Sequence, residues 1–305
     1  MRTFFAALSL ALPLAFGPVT AAAQQPESSF WSHRFSVNVD VSYGPEPAQQ
    51  LDLYLRGRWV GEPEYFEVAP DPRPTLVFIH GGGWISGDRG EQAPLFLPFL
   101  ERGWHVVSVG YRLGAGTAPA AVDDAVCALG WVADRADELG FDRDRIVVSG
   151  ASAGGHLALM AGILGSGTEH ECAPDEGFRV AGIVNWFGIT DIEAVEAYLA
   201  EARPRSNYAR SWIGDTARVS RISDRHSPIR RVGDDAPPIL TLHGDEDSVV
   251  PYEQATRFHA RLNELGVTHR LETMEGGTHM GFSDAQFQRA FGTIFRFLES
   301  ADAGR

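Results

Sequence analysis

The sequence predicts an α/β fold, a mostly parallel, doubly wound sheet with helices on both faces, and three features carry that expectation. From residue 75 onward, short and nearly unbroken apolar runs recur: TLVFI, HVVSVGY, RIVVSG, VAGIVNWF and PPILTLHG. Such runs mark strands that are covered on both faces. Helical periodicity falls between them, at 119–139, 153–165 and 252–265. No tandem repeat, low-complexity tract or linker breaks this alternation, so 24–305 reads as one domain.

The amino terminus, MRTFFAALSLALPLAFGPVTAAAQ, places Arg2 before an apolar stretch that Pro13 and Pro18 interrupt, followed by Ala21, Ala22 and Ala23. This small-x-small pattern predicts an export signal over 1–23, cleaved after Ala23, and a periplasmic or secreted mature protein. The apolar run is shorter than the ~20 residues a spanning helix needs, so no stable membrane insertion is expected. Next, FSVNVDVSYG and QQLDLYLRG alternate apolar and polar residues around a Gly-Pro turn and predict an antiparallel pair of half-buried strands. Residues 189–231 are polar, partly helical and fall between two strands. A connection of that length suits a cap or lid over a site, or an excursion packed on the rim.

Composition narrows the chemistry. With 305 residues and 44% hydrophobic content the chain can bury a large core, and its net charge of -14 repels phosphate backbones and anionic lipid. Nucleic acid is therefore not an expected partner. All the basic residues other than histidine are arginines, which excludes a Walker-type phosphate loop, a pyridoxal Schiff base and a Ser-Lys hydrolase. Cys127 lies in the helical stretch DDAVCALGWVADRADELG and Cys172 in the loop GTEHECAPDEG. They suit either a disulfide or a buried thiol with a separate loop cysteine. No zinc-binding spacing is present, and neither metal nor cofactor is expected.

One serine stands in GASAGG, residues 150–155, between an apolar run and a helix. Small residues around Ser152 allow a tight strand-to-helix turn that lifts the hydroxyl above the sheet at a helix amino end, where negative charge is favoured. Serine is a weak nucleophile alone and needs a base and an orienting acid. LTLHGDEDSVVP offers Asp247 after a strand, with Asp245 as its rival, and LETMEGGTHMGF sets His279 in a glycine-loosened loop after another. Strand ends of a parallel sheet converge on one edge, which would assemble serine, acid and histidine there. FIHGGGW, residues 78–84, supplies unhindered amides: Gly82 and Gly83, with the amide of Ala153, are the expected donors to an oxyanion.

Together HGGGW, GASAG, HGDEDSVVP and GGTHMGF resemble the α/β-hydrolase superfamily, on its carboxylesterase side, near hormone-sensitive-lipase-like bacterial esterases and feruloyl or acetyl-xylan esterases. The likeness runs from YGPEPAQQLDLYL to the carboxyl end. It implies Ser152 as nucleophile, Asp247 as acid, His279 as base, an oxyanion hole at Gly82, Gly83 and Ala153, and a loop-positioning role for His80. The resemblance also makes the tyrosine and arginine of GYRLG structural, with Arg112 pairing Asp123 or Asp124. His156, a turn beyond the serine, is expected to be structural. Trp84, Trp186 and Phe187, beside these loops, are expected to wall the substrate pocket. The activity so implied is hydrolysis of small or polymer-linked esters of short-chain or aromatic acids through an acyl-enzyme. Cleavage of amides, as by an arylformamidase or exopeptidase, and a silent binding domain on the same fold are the alternatives.

Overall fold

Eight strands form one sheet in the order β1-β2-β5-β4-β6-β7-β8-β9, in a computed structural model that describes residues 35–60, 65–68, 71–165, 170–174 and 178–303. The expected export signal, 1–23, lies outside the described residues. β1 (Phe35–Ser42) and β2 (Gln50–Val60) form the antiparallel pair, and β3 (Tyr65–Val68) pairs with the far end of β2. β4 (Arg73–Ile79), β5 (His105–Val109), β6 (Phe141–Ala151), β7 (Gly182–Trp186), β8 (Ile239–Gly244) and β9 (His269–Met274) run parallel, and β2 joins them antiparallel to β5.

The helices are α1 (Leu97–Glu101), α2 (Ala120–Asp134), α3 (Ala136–Leu139), α4 (Ala153–Leu164), α5 (Ile192–Ala202), α6 (Tyr208–Ile213), α7 (Val219–His226), α8 (Pro228–Arg231), α9 (Glu253–Leu265) and α10 (Asp284–Ala303). They explain why the strands read as continuous apolar runs. In β4, Val77 and Ile79 pack with Val122 and Leu129 of α2 and Leu157 of α4, whereas Leu76 and Phe78 pack with Phe99 of α1 and Ile294 and Leu298 of α10. Alternate side chains point to opposite faces, and helices cover both. Burying each such side chain contributes about 1.5–3 kcal/mol, so neither face tolerates a polar residue without a partner.

Two polar ties sit within this frame. The Arg112 guanidinium meets Asp124 with Nη2–Oδ1 at 2.7 Å and Nε–Oδ2 at 2.9 Å, while the backbone amide of Arg112 donates to Oδ2 at 2.8 Å. Asp124 is fully buried and also accepts from Gln49 Nε2 at 2.6 Å, so it, rather than Asp123, is the partner of Arg112. Asp123 faces His170 instead. Cys127 of α2 and Cys172 form a disulfide, Cα–Cα 4.7 Å, which settles the open pairing and ties the loop beyond α4 to α2.

The 189–231 segment is a cluster of short helices between β7 and β8. Asp191 and Asn207 cap α5 and α6 by accepting from the amides of Ala194 and Arg210, and Pro228 opens α8 with its preset φ. The cluster is fastened to the loop after β8: Tyr198 donates to the Ser248 carbonyl at 3.0 Å and Tyr208 to that of Val249 at 3.1 Å. Trp212 of α6 stacks on Trp84 with centroids 4.4 Å apart. No helix among the described residues is long and apolar enough to cross a membrane.

Candidate active site

The carboxyl ends of β4, β6, β8 and β9 each lead into a loop that carries one part of the site. After β6 the chain turns at Ser152, φ 57° and ψ -121°, directly into α4. A non-glycine residue held in this region stores on the order of 1–3 kcal/mol of strain. The surroundings impose it: the Ser152 amide donates to the Trp186 carbonyl at 2.9 Å, and the serine carbonyl accepts the His156 amide of the first helical turn. Close approach requires Gly154, because a Cβ there would lie 2.1 Å from the Ile79 carbonyl oxygen.

His279 bridges the other two side chains. Its Nε2 is 3.1 Å from Ser152 Oγ and its Nδ1 is 2.7 Å from Asp247 Oδ2. An ionised carboxylate only accepts, so the network assigns the proton to Nδ1 and aims the Nε2 lone pair at the hydroxyl. Asp247 Oδ1 accepts the amides of Val249 at 2.8 Å and Val250 at 2.9 Å. Burial by itself would raise the Asp247 carboxyl, but the close His243 imidazole, the hydrogen bond from His279 and the Val250 amide outweigh it and hold the group well below the usual carboxylate range. Asp245, the rival acid, is exposed and accepts from the Gly276 amide at 2.6 Å, bracing the turn before His279.

Beside the serine runs the glycine loop after β4. Gly82 has φ +114°, and a Cβ there would meet the Ser86 carbonyl oxygen at 1.9 Å, so only glycine allows this turn. His80 Nδ1 donates to the Gly81 carbonyl at 2.7 Å, and its ring stacks on Tyr111, whose hydroxyl donates to the His80 carbonyl at 3.0 Å. Gln92 Oε1 accepts the Gly81 amide at 2.8 Å. Among the described residues the amides of Gly82, Gly83 and Ala153 donate to no protein acceptor. With the positive end of the α4 dipole, they form a set of donors suited to an anionic oxygen.

The three expected wall aromatics separate. Trp84 and Trp186 are fully buried and belong to different core clusters, Trp84 against Trp212 and Trp186 against Phe291, so burial removes both from any accessible wall. Phe187 lies with its ring 4.7 Å from that of His279, edge to face, and backs the imidazole from inside the protein. His156 is fully buried, with Nδ1 accepting from Trp84 Nε1 at 3.2 Å and Nε2 donating to the His226 carbonyl at 2.7 Å. Among the described residues its imidazole makes no hydrogen bond to Ser152.

Sequence reasoning overlooked two residues at the site. Tyr208 packs on the glycine loop closely enough that a Cβ on Gly83 would meet Tyr208 Cβ at 2.9 Å, while its hydroxyl holds the acid loop. Nothing in the sequence places α6 there. His243, near the end of β8, puts Nε2 3.3 Å from Asp247 Oδ2, and its signal was a lone imidazole closing an apolar strand four residues before the acid. As for metal, the one cluster of possible ligands among the described residues is Cys127, His170 and Cys172, whose sulfurs are bonded to each other.

Comparison with known proteins agrees with this architecture. The BD-FAE family model matches residues 65–262, a span that holds the glycine loop, Ser152 and Asp247 and ends before His279. Esterase LipC of Mycobacterium tuberculosis is 34% identical over 239 residues, which cover 74% of this chain and 55% of LipC. The chain spans about half the length of the curated relatives it matches. Among solved structures, a truncated carbohydrate esterase from gut microbiota superposes with a TM-score of 0.71 at 23% identity, covering 89% of this chain and 98% of that one. A thermophilic esterase of Thermogutta terrifontis with butyrate bound gives a TM-score of 0.66 at 27% identity, covering 87% and 94%. With a family match over more than half its length and the sheet order described above, the chain belongs to the BD-FAE family of α/β hydrolases.

Proposed function

We propose that this protein is a serine carboxylesterase that hydrolyses short-chain or aromatic-acid esters through an acyl-enzyme. The observation that carries the reading is the unbroken line Ser152 Oγ, His279 Nε2, His279 Nδ1, Asp247 Oδ2, with links of 3.1 and 2.7 Å. As Oγ attacks the ester carbonyl, its proton passes to His279 Nε2, and Asp247 stabilises the imidazolium through Nδ1. The carbonyl oxygen becomes an anion facing the amides of Gly82, Gly83 and Ala153, donors worth about 3 kcal/mol each in such sites. Collapse of the tetrahedral adduct expels the alcohol, which takes the proton from Nε2. Water then loses a proton to His279, attacks the acyl group and releases the acid, restoring the serine.

Relatives support the ester bond and the acyl size: LipC is named an esterase, and the Thermogutta enzyme binds butyrate. Polymer-linked esters remain within the proposed substrate range, and a carbohydrate esterase shares this fold. The Cys127–Cys172 disulfide is in keeping with periplasmic or secreted placement, the expectation drawn from residues 1–23. The test is turnover of p-nitrophenyl acetate and butyrate by the mature protein and by Ser152→Ala. We expect the variant to keep its circular dichroism spectrum and to lose at least about 1,000-fold in kcat. Full activity in Ser152→Ala would overturn the proposal. A panel of acetyl, feruloyl, formyl-anilide and dipeptide substrates separates ester from amide cleavage.

A further inference from the structure

We infer that His243 is a positioning residue that anchors the Asp247 carboxylate for its bond to His279, an inference that rests on the reading of Ser152, His279 and Asp247 as one catalytic unit. His243 Nε2 faces two acceptors, the Val250 carbonyl at 2.9 Å and Asp247 Oδ2 at 3.3 Å. Nε2 therefore carries a proton, which it donates to the Val250 carbonyl while keeping the positive edge of the ring against Asp247 Oδ2. His243 is fully buried, and its Nδ1 has no partner in the structure. A buried nitrogen without a partner costs stability. Phenylalanine or leucine would fill this strand position without that cost, so what the imidazole adds here is the contact made by Nε2.

Geometry shows what that is. Oδ2 is the oxygen that accepts from His279, and Oδ1 is already fixed by the amides of Val249 and Val250. His279 stands on a loop whose neighbour Met280 is exposed, so by itself it is a compliant partner for Oδ2. His243 belongs to β8, a strand paired on both sides, and its ring is held edge-on by Tyr252 with centroids 5.7 Å apart. The carboxylate plane is thus held from the sheet and the acid loop independently of His279, and the imidazole takes its orientation from that fixed acid.

The experiment compares His243→Phe and His243→Gln in the full chain, with kcat and KM measured separately on p-nitrophenyl butyrate and Tm measured alongside. We expect His243→Phe to lose about 10- to 100-fold in kcat with KM within about twofold, and the amide donor of His243→Gln to restore kcat to within about fivefold of wild type. In an Asp247→Ala background, His243→Phe should cost less than about twofold, because the group it positions is gone. A loss of the same size in both backgrounds, or wild-type kcat in His243→Phe, would overturn the inference. If His243→Phe does not fold, His243→Asn keeps a polar side chain too short to reach Asp247; the same kcat loss supports the role and wild-type kcat overturns it. Turnover by Ser152→Ala would undo the catalytic reading itself, whereas an inactive Ser152→Ala beside fully active His243 variants would undo only the role of His243.

Discussion

His279 and His156 flank the same serine turn, one from the loop after β9 and the other from the first turn of α4, in opposite environments. The His279 side chain is 16% exposed and its nitrogens face a hydroxyl and a carboxylate. His156 is fully buried and its nitrogens face an indole N–H and a backbone carbonyl. Burial pushes the His156 imidazole down to about 3, so at neutral pH it is uncharged and serves as a fixed donor and acceptor inside an aromatic block of Trp84, Trp212 and Tyr208. The rim site can pass a proton along its chain of partners, and the block behind it cannot. What separates two identical side chains is the chemistry of the atoms opposite their nitrogens.

Alanine at each position exposes that difference most strongly. His279→Ala should lower kcat by about 10,000-fold or more with little change in Tm. His156→Ala should leave kcat of the folded protein within about tenfold but cost roughly 2–4 kcal/mol of stability, since it opens a cavity and leaves the Trp84 N–H unpaired. Steady-state kinetics and urea denaturation of the two variants check this pair. Equal kinetic losses would erase the distinction between the regions.

A pH series sharpens it. The folded-state value of His156 is depressed from 6.5 to about 3, so the unfolded chain binds the extra proton first as pH falls. Its contribution is fully present above 6.5 and is lost progressively as pH drops toward 3. Between about pH 6 and pH 4 wild-type stability should therefore slope more steeply than that of His156→Leu, by about 1 kcal/mol per pH unit. Denaturant midpoints across this range supply the measurement, and parallel slopes would contradict the buried-neutral assignment.

The smallest effect belongs to the residue that joins the two regions. Tyr208 touches the aromatic block through its ring and the acid loop through its hydroxyl. Tyr208→Phe keeps the ring and removes the bond to Val249, which should cost about 1 kcal/mol and lower kcat about threefold. Thermal melts and initial rates test it.

The strands were legible because helices cover both faces of the sheet, which leaves each strand as an apolar run such as TLVFI or PPILTLHG. The turn at Ser152 was legible because its glycines meet local steric demands. Legibility stopped where a residue's meaning depends on distant chain. Trp84 and Trp186 adjoin the loops of the candidate site in sequence, yet they point into opposite cores, and burial is a tertiary property. The contact between Cys127 and Cys172 depends on how the loop beyond α4 returns to α2. α1 and α10 were not anticipated: α1 has only five residues, and the apolar face of α10 packs on the sheet surface opposite α2 and α4. His243 sat in plain view, but an imidazole ending a strand reads as filler until Asp247 is seen to turn back onto it.

If the 3.1 Å contact between His279 and Ser152 activates the serine, this one hydroxyl is reactive. The most direct measurement is covalent labelling with a fluorophosphonate, read by intact-mass and peptide mass spectrometry on wild type and His279→Ala. A single adduct on Ser152 is expected in wild type, with labelling slowed by at least about 1,000-fold in His279→Ala. An unlabelled Ser152, or an adduct that forms at the same rate without the imidazole, would contradict that activation.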